Sequence, residues 1–287
     1  MRTPSLRRAG RAARERIRRT WRTHPEVARA LLPWTERAHA VRARSWPREP
    51  ERPLERVVHR YARHVPDATF VQIGAHDGTQ LDPLREAILG SRWRGIMVEP
   101  VPYVFRRLEA RYRSNPRVIL ENVAVDATDG AREFHFLAEA SDGDDVWRWY
   151  DALGSFRREV VLSHDQLVPD IATRLVSMDV PCVTFETLCT RNGIDHVDVV
   201  QIDTEGYDRE ILELVDLERY GTHLVVFEHL HLGPEGRAAC RDLLTRHGFE
   251  LVSDGMDTLA VHHDALGVAE VSAAFEAARA ALAGFDQ

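Results

Sequence analysis

The sequence predicts an α/β fold, a mostly parallel sheet with helices on both faces, and three observations lead there. Short apolar runs alternate with helical stretches over residues 54–282, which implies parallel pairing and a ligand crevice at the carboxyl ends of the strands. Two glycines, Gly74 and Gly78, bracket a turn directly after the first run. Two strand patterns near the end, FELVSDG and DTLAVHH, lie close enough to form an antiparallel hairpin.

Taken in order, a helix over 54–64 leads into a first strand, 69–73, which is apolar except at Gln72. Asp82 and Pro83 read as the cap and first residue of a helix ending near Gly90. RGIMVEP (94–100) is the second strand, 102–112 the next helix and 118–125 a third strand. REFHFL (132–137) alternates like an exposed strand, and 139–180 reads as an insertion with loops. A helix over 184–191 is stopped by Asn192-Gly193. VDVVQID (197–203) and THLVVFE (222–228) are the fourth and fifth core strands, with a helix over 208–219 between them. A helix over 234–247, ended by Gly248, precedes the hairpin, and an Ala-rich helix over 268–282 closes the fold.

Composition narrows the classes. The 287 residues are 44% hydrophobic, ordinary for a globular chain, and no stretch approaches the roughly 20 apolar residues that cross a bilayer. The basic N-terminus has no apolar segment after it to act as a signal. Three cysteines without a CxxC argue against zinc and a disulfide scaffold, so a cytoplasmic location is expected. Residues 1–48 hold 14 arginines against three acids, while the whole chain carries −7. A basic arm, helical over 5–21 and 25–41, therefore precedes an acidic body, with 45–53 as a proline-rich linker. The expected division is 1–53 for arm and linker and 54–287 for the main domain. The arm is expected to be a solvated or loosely docked extension, with peripheral contact to an anionic surface as the alternative. No specific nucleic acid is expected as a partner.

The glycine turn is G-x-x-x-G, neither the G-x-G-x-x-G of a dinucleotide fold nor a P-loop. Its candidate ligand contacts are Gly74, Ala75, His76, Asp77 and Gly78. The second strand ends in Glu99, 25 residues beyond Gly74, where an acid in doubly wound folds accepts hydrogen bonds from ribose hydroxyls. An adenosine ligand without a required pyrophosphate suits this pair. S-adenosylmethionine is such a ligand, with a sulfonium that an acidic pocket favours.

Four blocks, FVQIGAHDG, GIMVEPVPYVFRRLEARY, VDVVQIDTEGYDREIL and FEHLHL, occur in order along the chain. In these blocks the sequence resembles the FkbM family of S-adenosylmethionine-dependent methyltransferases, over roughly 68–262. Gln72 stands where related enzymes often carry an acid, and Gln201 where many members carry lysine, which bears on the acceptor more than on the cofactor. The resemblance implies a class I (Rossmann-like) sheet of seven strands with the last antiparallel. It also implies transfer of a methyl group to an oxygen of a sugar, glycan or secondary metabolite. Pro100, Asn122, Ala124 and Asp203 complete the candidate cofactor contacts.

Methyl transfer from a sulfonium needs the nucleophile held in line, and a hydroxyl must also lose its proton or be polarised. The candidate residues are Asp203 and Glu205 after the fourth strand, with Glu228, His229 and His231 after the fifth. Asp203 is favoured over Glu205 because it ends the strand, and Asp208 is an alternative cap for the following helix. His229 beside Glu228 is the candidate base. Asp203, Glu228 and His229 holding a divalent metal is a less favoured alternative, since a hard ion prefers oxygen ligands. Trp147 and Trp149 are expected to pack the insertion rather than stack on a sugar. Two other classes stay open: a nicotinamide-dependent oxidoreductase using Glu99, and a non-catalytic binding protein on the same scaffold.

Overall fold

The computed structural model describes residues 52–79, 82–140, 149–168 and 170–284. The predicted arm helices and most of the linker fall outside the described residues. Pro53, assigned to the linker, instead opens the helix Pro53–His64 as its first residue, where its missing N–H costs nothing. Arg52 just before it pairs with Asp254 at 3.1 Å and Asp257 at 2.8 Å, tying the entry of the domain to the terminal hairpin.

Strands β1 (Thr69–Ile73), β2 (Arg94–Val98), β3 (Val118–Glu121), β8 (Val199–Ile202), β9 (Leu224–Glu228), β10 (Phe249–Ser253) and β11 (Asp257–His262) form one sheet, ordered β10-β11-β9-β8-β1-β2-β3. The pairs β1–β2, β2–β3, β1–β8 and β8–β9 are parallel, while β11 runs antiparallel to both neighbours. The predicted class, a mostly parallel seven-stranded sheet with a C-terminal antiparallel hairpin, is therefore the observed one. β1, β8 and β9 are buried along their whole length, as strands covered on both faces must be, and this explains their unbroken apolar runs. One face packs Phe70 and Met97 against the helices Pro53–His64 and Ala269–Leu282. The other packs Val71, Ile73, Val200 and Ile202 against Phe185–Arg191 and Asp208–Leu214.

Five expectations change. The helix expected to begin at Pro83 begins at Arg85, and Asp82 accepts from the Leu84 and Arg85 N–H groups in the turn before it. The third strand does not run through to Val125. The chain leaves the sheet at Asn122, whose Nδ2 donates to the carbonyls of Glu99 (2.7 Å) and Pro100 (3.1 Å). It then enters a second sheet of β4 (Ala124–Val125), β5 (Gly130–Leu137), β6 (Gly154–Ser155) and β7 (Leu175–Val183), ordered β4-β7-β5-β6. β5 does not alternate: Phe134 through Leu137 are all buried. Part of 139–180 is thus strand, pairing antiparallel with β5 from Leu175 onward. The helix over 208–219 breaks at Val215, a buried side chain, and restarts with Asp216 accepting from the Arg219 N–H. Among the described residues no helix is long and apolar enough to cross a membrane.

Candidate active site

The strand order reverses between β1 and β8: the chain runs outward through β2 and β3 on one side and through β9 on the other. A crevice at the carboxyl ends of these two strands follows from that reversal. Gly74 sits at its floor with φ +78, and a Cβ there would lie 1.7 Å from the Asp203 carbonyl oxygen. Its absence lets the ends of β1 and β8 close on each other, with the Asp203 N–H donating to Ile73 at 2.9 Å. Gly78, φ +70, has a different reason. A Cβ there would meet the Tyr112 and Leu108 side chains, so this glycine serves helix packing, not a ligand.

Around the crevice is a cavity of about 220 Å³, lined among others by Gly74, His76, Glu99, Pro100, Ala124, Asp203, Glu205, Glu228 and His231. Ala75, Asp77, Gly78 and Asn122, also expected at the cofactor, do not line it. Ala75 is core, and Asn122 holds the end of β2 as described. Asp77 is bound to Thr79 and to Arg111 at 2.6 Å, so its carboxylate is used within the fold.

Glu99 is buried, with Oε2 accepting from the His76 N–H (3.0 Å) and Oε1 from the Val101 N–H (2.9 Å). Burial pushes its pKa up to about 7, partly offset by His76 and the two N–H donors. Each oxygen keeps a second lone pair for a hydroxyl donor. His76 itself has φ 48, unusual outside glycine. Its ring lies 3.3 Å from Asp151 and 3.6 Å from Asp77. Burial alone would lower the imidazole pKa, but these two carboxylates outweigh it and raise it to about 10. Asp151, in the inserted segment, also pairs with Arg107. The insertion thus clamps the glycine turn, a contact no local motif announces.

The opposite end of the cavity is acidic. Asp203, Glu205 and Glu228 bring carboxylate oxygens within 4.8 Å of one another. Asp203 and Glu228 are both pushed well above the usual carboxylate range, first by burial and then by repulsion from Glu205, with Asp208 adding at Asp203 and Asp203 adding at Glu228. Glu205, ranked below Asp203 from the sequence, is held in the same cluster. Its φ of 51 turns it out of the strand path, and its Oε2 lies 2.9 Å from His231 Nε2. No side chain caps the helix Asp208–Leu214, so neither Asp203, Glu205 nor Asp208 has that role. Asp208 instead accepts from the Thr204 and Gly206 N–H groups and holds the turn before the helix.

His229 is the main correction. It does not line the cavity; its Nδ1 is 2.9 Å from the Thr258 hydroxyl and its ring is buried. Glu228 and His229 are consecutive, and residues that continue a strand point to opposite faces. With Glu228 in the cavity, His229 faces away, so neither the base nor the metal set containing it is assembled. His231 and His164 supply the imidazoles there instead. His164 comes from the insertion and carried no sequence signal. At the cavity's mouth, Trp149, Leu167 and Leu230 line the opening while remaining exposed.

The profile of the methyltransferase FkbM domain matches residues 72–251. No curated protein matches the chain. Among solved structures, the chain is similar to methyltransferase FkbM from Methylobacillus flagellatus KT, with 13% identity, a TM-score of 0.43 and coverage of 69% of this chain and 44% of that one. This chain therefore spans less than half the length of that protein. It is also similar to a precorrin-6y C5,15-methyltransferase from Geobacter metallireducens GS-15 (14%, TM-score 0.38, 72% of this chain and 86% of that one). A third is Aeropyrum pernix fibrillarin in complex with natively bound S-adenosyl-L-methionine (15%, TM-score 0.34, 68% and 66%).

Proposed function

The chain belongs to the FkbM methyltransferase family, and from that premise we propose that it transfers the methyl group of S-adenosylmethionine to a hydroxyl oxygen of a small molecule, sugar or glycan. The observation that carries this reading is one cavity with a hydroxyl-accepting carboxylate, Glu99, at one end and an acidic cluster, Asp203, Glu205 and Glu228, at the other.

The residues fit the cofactor. Glu99 has lone pairs to spare for two ribose hydroxyls, Ile73, Val98 and Val101 offer apolar walls for a base, and the carboxylates suit a sulfonium. When bound, the cofactor supplies an electrophilic methyl carbon. The chain's own work is positioning and proton handling. Gly74 keeps β1 and β8 close enough for both ends of the cavity to face one ligand. Asp203 and the Glu205–His231 pair stand where an acceptor hydroxyl must give up its proton, and His231 has its pKa raised by that carboxylate. The apolar rim of Trp149, Leu167 and Leu230 favours an acceptor that presents an apolar or ring face beside its hydroxyl. Three free, buried cysteines accord with a reducing cytoplasm.

A ligand panel tests this first. S-adenosylmethionine and S-adenosylhomocysteine should raise the melting temperature, by an amount corresponding to about 2.7 kcal/mol at a hundred times Kd, and NAD should not. Stabilisation by NAD alone would point to the oxidoreductase class. Methyl-labelled cofactor offered with a panel of hydroxylated acceptors should then label at least one, and Asp203→Asn should label it at least a hundredfold more slowly. A variant as fast as wild type would remove Asp203 from the chemistry.

A further inference from the structure

We propose that His164, His231 and Glu205 form a binding site for one divalent first-row transition ion, of the zinc or manganese kind, at the acceptor end of the cavity. The role given to the ion rests on the methyltransferase reading; the site itself does not.

The three residues come from separate segments: His164 follows the helix Arg158–Leu162, Glu205 follows β8 and His231 follows β9. Their ligand atoms nevertheless lie within 4.8 Å of one another. His231 Nε2 and Glu205 Oε2 are 2.9 Å apart, and the two imidazoles meet edge to face with centroids 5.2 Å apart. His164 Nδ1 is 3.0 Å from the Val160 carbonyl, a bond that requires the proton on Nδ1 and leaves the Nε2 lone pair free. Metal-ligating histidines are oriented by this kind of outer hydrogen bond. Glu205 is fixed from behind, its carbonyl accepting from the Ser155 hydroxyl at 2.8 Å.

A second observation comes from the neighbouring residue. Glu228 is 6% exposed, lines the same cavity, and has an Oε2 with no hydrogen-bond partner. Its carboxylate lies within 4.8 Å of that of Glu205. An unpaired buried oxygen beside a third carboxylate is costly without a positive charge nearby. A divalent ion held by Glu205 supplies that charge.

The donor set selects the ion. Two imidazoles and one carboxylate suit zinc, manganese, iron or cobalt, whereas magnesium and calcium favour all-oxygen shells. Three protein ligands would leave a position open, and all three residues line the cavity. An acceptor oxygen in that position becomes more acidic. Its proton would pass to whichever of Asp203 and Glu228 the ion's charge keeps ionised. The oxygen lone pair forms the bond to the methyl carbon as the carbon–sulfur bond breaks, leaving S-adenosylhomocysteine. His231 is then a ligand, not the base.

The test is a cobalt(II) titration of tag-free, chelator-treated protein, followed by visible absorption. Wild type should take up one equivalent, and zinc but not equimolar magnesium should displace it. His164→Ala and His231→Ala should each weaken binding at least tenfold, while His229→Ala should match wild type. Should His231→Ala melt early, His164→Gln decides, since its residue lies in the insertion, away from the central sheet. Absence of stoichiometric cobalt in wild type overturns the proposal. So does wild-type affinity in both His164 variants, including the case where only Glu228→Gln weakens binding. Calorimetry with S-adenosylmethionine on the same samples is separate: failure there with intact cobalt binding counts against the transfer reading alone.

Discussion

The two ends of the cavity are built on opposite electrostatic terms. At the ends of β1 and β2 opposite charges meet: Glu99 takes two backbone N–H groups, and His76 faces Asp151 and Asp77 as ion pairs, although His76 Nε2 and Asp151 Oδ1 make no hydrogen bond. At the ends of β8 and β9, three carboxylates crowd together and Glu228 Oε2 has no partner at all. The first end balances its charges within the chain. The second is left in deficit of positive charge, which a sulfonium, an ion or a proton must supply. On the proposed reading, preorganisation belongs to the cofactor side and the charge imbalance to the acceptor side.

The largest effect should come from the one residue that joins the two ends. Gly74→Ala places a Cβ on the Asp203 carbonyl at positive φ, and urea unfolding should show a loss of at least about 3 kcal/mol. A loss under about 1 kcal/mol would mean that the two strand ends are not locked together. Next comes the partnered end. His76 has its pKa raised to about 10, so its contribution is fully present below about pH 6.5 and is lost as pH rises through 10. The melting temperature of wild type should fall by several degrees between pH 8 and 10.5, and that of Asp151→Asn by clearly less. Equal falls would break the assignment of the clamp.

At the acidic end the sign reverses. Glu228 has a raised pKa, so the charged form it must adopt at high pH opposes folding; its stabilising contribution is present below about 4.5 and lost as pH rises. In chelator-treated protein, Glu228→Gln should therefore be more stable than wild type at pH 8, by about 1 kcal/mol, and no more stable at pH 4.5, as read from urea midpoints. Destabilisation at pH 8 would mean that the carboxylate is paired after all. The smallest effect is expected from the arm. A chain starting at residue 49, which retains Arg52 and its pairs with Asp254 and Asp257, should bind the cofactor within twofold of the full chain. Loss of binding would assign the arm to the catalytic domain.

The partnered end was the more legible one. The turn at Gly74 and the acid at Glu99 sit on successive strands of one β-α-β unit, so spacing along the chain carries their proximity in space. Glu205 and Glu228 were legible as polar residues at strand ends, but their orientation was not. The alternation of side chains at Glu228 and His229 was available from the sequence and would have excluded His229. Gly78 could not be read, because its reason is the Tyr112 ring, 34 residues away. Asp151 and His164 lie in the insertion, where no periodicity fixes a direction, and only packing brings them to the cavity. The break of the third strand depends likewise on Asn122 reaching back to Glu99 and Pro100.

One calorimetric comparison tests the division between the two ends most directly: S-adenosylhomocysteine titrated at pH 8 into wild type, Glu99→Ala and Glu228→Gln. Loss of hydrogen bonds to a charged group costs about 1.5–3 kcal/mol, so Glu99→Ala should bind at least tenfold more weakly. Glu228→Gln, facing the acceptor, should stay within about threefold of wild type. Unchanged affinity in folded Glu99→Ala, or equal losses in both variants, would contradict the account.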